Sequence, residues 1–386
     1  MFRSLISFLR SRVRLDRFEL GGAFGDVGTD LPLLAGMILV SEFDAASVLV
    51  VFGAMQLAAG LVYGIPMAVQ PLKAVAALVI AQNIAAPVVF GAGLSMGMIM
   101  LALAVTGMLE KFARLIPKAV VRGIQLGLGG NLAILAMCQY IPADGVKGLY
   151  LAAATCAIIV LLRRNSRFPA SLVAMGLGVV YVLFFTPKES RPTMAMHFAL
   201  PQLQGVQVSS VLEGFLVLAL AQIPLSLGNS VLATAQLASD YFPEKNITVG
   251  KIGLTYGIMN IVAPFLGGVP VCHGSGGLAG HYFFGARTGG SVVIYGSLLM
   301  IGGLFFGDGF AQFLHIFPLS VLGTILIFEG WALARNVCDM REAVDLFVAL
   351  LVAACAIFLP YGYLVGLVTG TITFLILKKT VGAAPE

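Results

Sequence analysis

The chain has 386 residues, 59% of them hydrophobic and only 11% charged, with a mean hydropathy of +0.99. A soluble domain carries about a quarter charged residues, so a soluble enzyme, a nucleic-acid binder and a disordered regulator are excluded. The net charge of +5 comes from residues between apolar runs, which points to orientation in a bilayer; five cysteines without a C-x-x-C pair and four scattered histidines leave no disulfide framework or metal site to expect.

A membrane-crossing helix takes about 20 apolar residues. In chain order the pattern predicts fourteen segments: 19–40, 46–63, 66–82, 92–109, 118–140, 148–162, 169–186, 211–237, 250–265, 268–284, 290–306, 318–334, 343–358 and 362–377. The basic stretch from Arg3 to Arg17 leads into a full-length segment, unlike a cleavable signal. Segments 66–82 and 268–284 are too short and too interrupted for plain helices. The polar stretch 187–210 halves the chain. With a cytoplasmic N-terminus, 19 of the 23 Lys and Arg fall on that face; Lys147, Lys188 and Arg191 fall on the other, and Lys73 falls inside the membrane. That bias predicts both termini cytoplasmic, and with no organelle-targeting extension in the sequence the expected location is the cell inner (plasma) membrane.

The halves echo each other at a shift of 200 to 204 residues. GDVGTDLPLLAG (25–36) matches LSLGNSVLATAQ (225–236), placing Gly28 on Gly228. GIPMAVQPLKAVAALV (64–79) matches GVPVCHGSGGLAGHYF (268–283), placing Pro66 on Pro270. FARLIPKAVVRG (112–123) matches FLHIFPLSVLG (313–323), placing Pro117 on Pro318. Seven segments per half is odd, so the second half is expected to be inverted. The expected fold is an all-α polytopic membrane protein, a 7+7 inverted repeat with two broken half-helix segments, which is the pattern of a secondary transporter. The pairs Gly60–Gly64, Gly93–Gly97, Gly303–Gly307 and Gly366–Gly370 are read as helix-packing glycines.

Chemistry is expected where the breaks meet. Pro66 and Pro71 bracket a short extended stretch, with Pro71 opening a half-helix. Its counterpart runs from Pro270 through Cys272, His273, Gly274, Ser275 and Gly276. Each half-helix start leaves orphan N–H groups and a partial positive charge, and two such starts make an anion site. The substrate-binding candidates are therefore Gln70, Pro71, Leu72, Lys73, Cys272, His273, Gly274, Ser275 and Gly276, joined by Gln222, Ser226 and Asn229 as neutral donors. Gln222, Ser226 and Ser230, spaced by four, are expected on one helix face. Lys73 either adds positive charge beside the anion or pairs with Asp26 or Asp30. Asp26 and Asp30 are the proton-coupling candidates, because burial disfavours a carboxylate; Asp30 alternatively resembles a cap. His273 either binds ligand or caps its half-helix, His281 is read as structural, and Glu329 is an acid in an apolar run without an obvious partner.

These residues carry a resemblance. GAFGDVGTDLPLLAGM, PMAVQPLKAVAAL, QIPLSLGNSVLATAQLASDYF and VPVCHGSGGLAGHYFFGARTGG are similar to the molybdate transporter family, related to sulfate permeases. The resemblance spans roughly 18 to 380, and the pattern PxCHGxGGLAGxYxFGxRxG from Pro270 to Gly289 is specific. His281 departs from it, standing where a glutamine is common. The resemblance implies the fold of uracil permease and the sulfate permeases, and a chain closing at Glu386 without a C-terminal cytoplasmic domain. It implies a basic N-terminus at 1–18, a core part at 19–115, a gate part at 116–186, a linker at 187–210, and a second core and gate at 211–307 and 308–380. It also implies alternating-access import of molybdate, with protons as the coupling ion and no cofactor. The partners are then a small oxyanion and the lipid bilayer, with a homodimer left open. The rivals are a sulfate or other anion carrier, an anion channel and a nucleobase–proton symporter. A membrane-embedded enzyme would need a nucleophile–base pair or metal cluster, and the spacing supplies neither.

Overall fold

The computed structural model describes residues 11–162, 168, 170–187 and 195–381. Arg3, Arg10, Arg163, Arg164, Arg167, Lys188 and Arg191 of the charge count lie outside the described residues, as do parts of segments 1–18 and 187–210, and Glu386.

Apolar backbone removed from water satisfies its own N–H and C=O groups, and helices do this within one segment. The order is α1 (Arg17–Ala23), α2 (Val27–Val40), α3 (Ala45–Tyr63), β1 (Val69–Pro71), α4 (Lys73–Gln82), α5 (Ala86–Val105) and α6 (Met108–Leu115). Then come α7 (Lys118–Ala143), α8 (Gly145–Leu162), α9 (Ala170–Phe185), α10 (Val208–Tyr241) and α11 (Val249–Leu266). The chain closes with β2 (Val271–His273), α12 (Ser275–Phe283), α13 (Gly290–Ile316), α14 (Leu319–Asp339), α15 (Ala343–Phe358) and α16 (Gly362–Val381).

Local chemistry sets the ends. Asp16 caps α1 through the Phe18 and Glu19 amides, and Asp44 caps α3 through the Ser47 amide. Pro117 and Pro318, matched in the sequence echo, both occupy the N-cap position of their helices, α7 and α14.

Among the described residues, nine helical runs are long and apolar enough to cross a membrane, and α1–α2, bent by 46°, makes a tenth. The expected fourteen exceeds this because α9 and α15 have 16 residues each and α4 and α12 are half-length. The all-α expectation also needs correction, since β1 and β2 form a two-stranded sheet. The segment expected at 92–109 is α5 at 86–105: Pro87 opens the helix, and Gly107, at φ 68°, separates it from α6. Polar residues and Pro224 interrupt the apolar run of the eighth segment without breaking its helix. It stays helical from 208 to 241, with π turns at Phe215–Ala219 and Ser226–Ala233 absorbing the irregular sequence.

The helices form two packed groups. In one, α3 lies along α13, and α5 lies along α10 and α11; in the other, α7 packs on α14, α15 and α16. α14 bridges them through α2 and α12. Close contacts run through facing glycines, Gly53 with Gly296 and Gly129 with Gly330, where a Cβ on either would strike the other's carbonyl oxygen. Gly60, Gly93, Gly97, Gly303, Gly366 and Gly370 pack as expected against neighbouring chain. Gly64 and Gly307 do something else: Gly64 ends α3 at φ 64°, and Gly307 kinks α13 at φ 44°, ψ −117°.

Candidate functional site

β1 and β2 cross antiparallel, with Val69 opposite His273, Gln70 opposite Cys272 and Pro71 opposite Val271. Each strand is held by a side-chain amide from a helix of its own half. Gln56 of α3 donates to Val69 O at 2.8 Å and accepts from Val69 N at 3.1 Å. Asn260 of α11 donates to Val271 O at 2.6 Å and accepts from Val271 N at 2.9 Å. Both strands are fully buried, so these amides stand in for water. Gln56→Leu or Asn260→Leu is expected to destabilise the protein by about 1–3 kcal/mol for each orphaned backbone group. The melting temperature of each purified variant checks this; no change in either would mean that the strands hold themselves.

A half-helix leaves each strand. Pro71 does not open α4 as expected. It ends β1, and the helix starts two residues later at Lys73, after the extended Leu72. α12 starts at Ser275 after the extended Gly274. The antiparallel register puts the two starts at opposite ends of one crossing, so both amide-rich tips border it. α10 supplies a side chain to each. Gln222 Oε1 accepts from Ala74 N at 2.9 Å, and Asn229 Oδ1 accepts from Ser275 Oγ at 2.5 Å. Gln222 was expected to act as a donor; instead its oxygen takes the orphan amide, while Nε2 donates to Ser226 Oγ at 3.1 Å, which is 2.8 Å from Tyr256 Oη. Ser230, in the π turn between 226 and 233, lies beside Cys272.

His273 does not cap α12. Its Nδ1 lies 3.1 Å from Ala68 O and its Nε2 2.8 Å from Thr255 Oγ1, so it ties β2 to β1 and α11. Gly274 and Gly277 let the second break close on the first: a Cβ at Gly274 would collide with Gln70, and one at Gly277 with Asp26.

Lys73 is the first residue of α4, and its Nζ has no hydrogen-bond partner among the described residues. Three fully buried acids surround it: Asp26, Asp30 and Glu329. Asp26 occupies the N-cap position of α2 without capping it, because its Oδ1 accepts from Gln70 Nε2 at 2.5 Å. Asp30 is no cap either; it lies within the first turn of α2, beside Tyr295. Glu329, from α14, accepts from Thr29 Oγ1 at 3.1 Å. A cavity of about 460 Å³ runs from Thr29 and Lys73 past Ala77 and Ile80 to Gln139 and Tyr140. Of the expected binding residues, Lys73 alone lines it. The buried Gln70, Cys272, His273, Ser275, Gln222, Ser226 and Asn229 are gathered behind, around the crossing.

Sequence reasoning missed three roles. Glu329 completes the acid cluster; its sole signal was a carboxyl in an apolar helix. Glu19 takes the amides of Arg287, Thr288 and Ser291 at 2.8 to 2.9 Å, locking α1 to the loop after α12 and to the first turn of α13. Arg122, counted among the cytoplasmic connections, is buried inside α7, with ion pairs of 2.7 Å to Asp240 and 2.6 Å to Asp339.

The fold and sequence have known relatives. Residues 18–132 and 214–333 match the family described as "Molybdate transporter of MFS superfamily". Molybdate transporter 2 of Arabidopsis thaliana is 33% identical over 428 residues, covering 97% of this chain and 91% of the relative. The transmembrane domain of the cyanobacterial bicarbonate transporter BicA superposes with a TM-score of 0.57 at 16% identity, over 94% of this chain and 99% of that one. Murine Slc26a9, an anion transporter in its inward-facing state, gives a TM-score of 0.60 at 15% identity, over 98% and 71%. At these identities the two structures speak for the fold, whereas the family match and the plant relative speak for descent. The chain is a multi-span membrane protein that belongs to the molybdate transporter family.

Proposed function

We propose that the chain is a secondary active transporter importing molybdate, with the dianion seated at the strand crossing. The observation that carries this reading is the crossing itself: two half-helix starts border it, and Lys73 stands at the first position of one, facing a cavity. A tetrahedral dianion asks for N–H and O–H donors and positive charge. The half-helix starts at Lys73 and Ser275 offer N–H groups and partial positive charge, the Lys73 side chain adds its ammonium, and Gln222, Ser226 and Asn229 hold the starts in place.

In this reading the chain is a 7+7 inverted repeat, and a core (19–115 and 211–307) moves against a gate (116–186 and 308–380) around the seat. Reciprocal contacts support it. Gly28 of α2 packs on Leu322 and Leu326 of α14, while Gly228 of α10 packs on Ile124 of α7, as exchange of the halves requires. The basic residues support cytoplasmic termini. Moving a charge against an inside-negative potential costs about 2.3 kcal/mol per 100 mV, so uptake of a dianion calls for a coupled cation. Asp26, Asp30 and Glu329, with one ammonium among three carboxyls, are suited to carry a proton.

Uptake of labelled molybdate into proteoliposomes tests this. Saturable uptake that collapses with the proton gradient is expected, with tungstate competing. Equal competition by sulfate would make the protein a general oxyanion carrier, and undiminished accumulation without the gradient would remove proton coupling. Conductance far above carrier turnover would make it a channel.

A further inference from the structure

Glu329 occupies an unusual position. It lies on α14, which packs against both α2 and α12, whereas the other charged groups of the cluster, Asp26, Asp30 and Lys73, belong to the α1–α2 break, α2 and α4. It is fully buried, and Thr29 Oγ1 is its hydrogen-bond donor. Its carboxylate reaches the first turn of α12. A Cβ at Gly276 would overlap Glu329 Oε1, and that same point is 3.6 Å from Lys73 Nζ. The side chain therefore sets a negative oxygen between an ammonium and an uncapped helix start, which is what an oxyanion would do there.

We propose that the Glu329 carboxylate is the resident occupant of the oxyanion seat, displaced by the incoming dianion only as Glu329 gains a proton. The inference rests on the oxyanion reading of the crossing. Every group facing Glu329 fits it. Lys73 of α4 attracts either anion. Asp26 and Asp30 of the α1–α2 unit repel a further negative charge, Thr29 of α2 donates to it, and Tyr140 of α7 lies nearby. α12 presents Gly276 and Gly280 there, with no side chain to intervene. A dianion and an ionised Glu329 cannot share this buried space with one ammonium. The proton reaches the carboxylate through the cavity, whose lining includes Thr29, Lys73 and Tyr140 from among the neighbours of Glu329. It leaves when the dianion departs and the carboxylate returns to Lys73. The empty carrier then crosses with its lysine neutralised, and each loaded crossing carries one proton. Because Glu329 rides on α14, motion of that helix relative to α2 and α12 couples the exchange to access.

Equilibrium binding of molybdate to the purified full chain tests the proposal. Uptake of one proton per anion makes wild-type affinity rise about tenfold for each pH unit of acidification while the ligand is a dianion and Glu329 of the empty carrier is ionised, and level off once the empty carrier is already protonated there. Glu329→Gln, which cannot take up the proton, is expected to bind with little pH dependence and more tightly than wild type near neutral pH. A wild type without pH dependence, or a Glu329→Gln variant that keeps the wild-type slope, overturns it. Should Glu329→Gln fail to fold, Thr29→Val loosens the carboxylate without removing it. Several-fold tighter binding with the slope retained supports the proposal, and unchanged or weaker binding overturns it. No molybdate binding by wild type at any pH would instead overturn the oxyanion reading beneath it.

Discussion

Lys73→Met is expected to weaken molybdate binding by about 2–5 kcal/mol, roughly 30- to 4,000-fold in Kd, the range for truncating one member of a buried charge pair. Among the described residues the ammonium is the one cation in a cluster with three carboxyls, and its Nζ has no hydrogen-bond partner. Methionine keeps the length and apolar stem of lysine, so lost affinity reports the charge rather than a cavity. Lys73→Arg restores charge in a bulkier planar form and is expected to recover part of the affinity. Titration calorimetry on both variants, with melting temperatures alongside, separates binding from folding. Equal affinity in wild type and Lys73→Met would leave the lysine as a structural counter-charge to Asp26 and Asp30.

The second large effect is steric. Gly277→Ala places a Cβ 2.5 Å from Ala68 Cβ and 2.7 Å from Asp26 Cγ, where the Ala68 methyl and the buried carboxyl leave no room. Overpacking of this kind costs about 1–3 kcal/mol, and here relief would push Asp26 off Gln70 and spread the crossing. Loss of uptake and a lower melting temperature are both expected. Gly176→Ala is the matched control. A Cβ there meets nothing within 4 Å, and alanine is preferred to glycine in a helix by about 1 kcal/mol, so stability should hold or rise. If the two variants behave alike, α12 does not approach the α1–α2 break as closely as described.

Much of the site was legible because breaks in apolar helices require particular residues. Proline removes an N–H and glycine tolerates close approach, so Pro66, Pro71, Pro270 and the glycines from Gly274 to Gly277 marked both half-helices. Lys73 drew attention for a similar reason, since a cation at membrane depth is costly wherever it sits. Gln56 and Asn260 were also within reach: each is a lone amide in an apolar helix, and they stand 204 residues apart, inside the shift of the other echoes.

What the linear chain determined by itself was local and periodic: the apolar runs, their interruptions, the family motif from Pro270 to Gly289, and the echo between halves. These follow from backbone satisfaction in a medium without water, which acts on each segment separately. The tertiary structure alone decided which groups meet. It paired Gln70 with Cys272, turned the Gln222 oxygen onto the Ala74 amide, kept the eighth segment helical through π turns, and carried Glu329 to Thr29 across 300 positions of sequence. Such contacts depend on how helices from different halves pack. Burial favours pairing of polar groups without naming the partner, so a lone acid in an apolar run signals only that a partner exists.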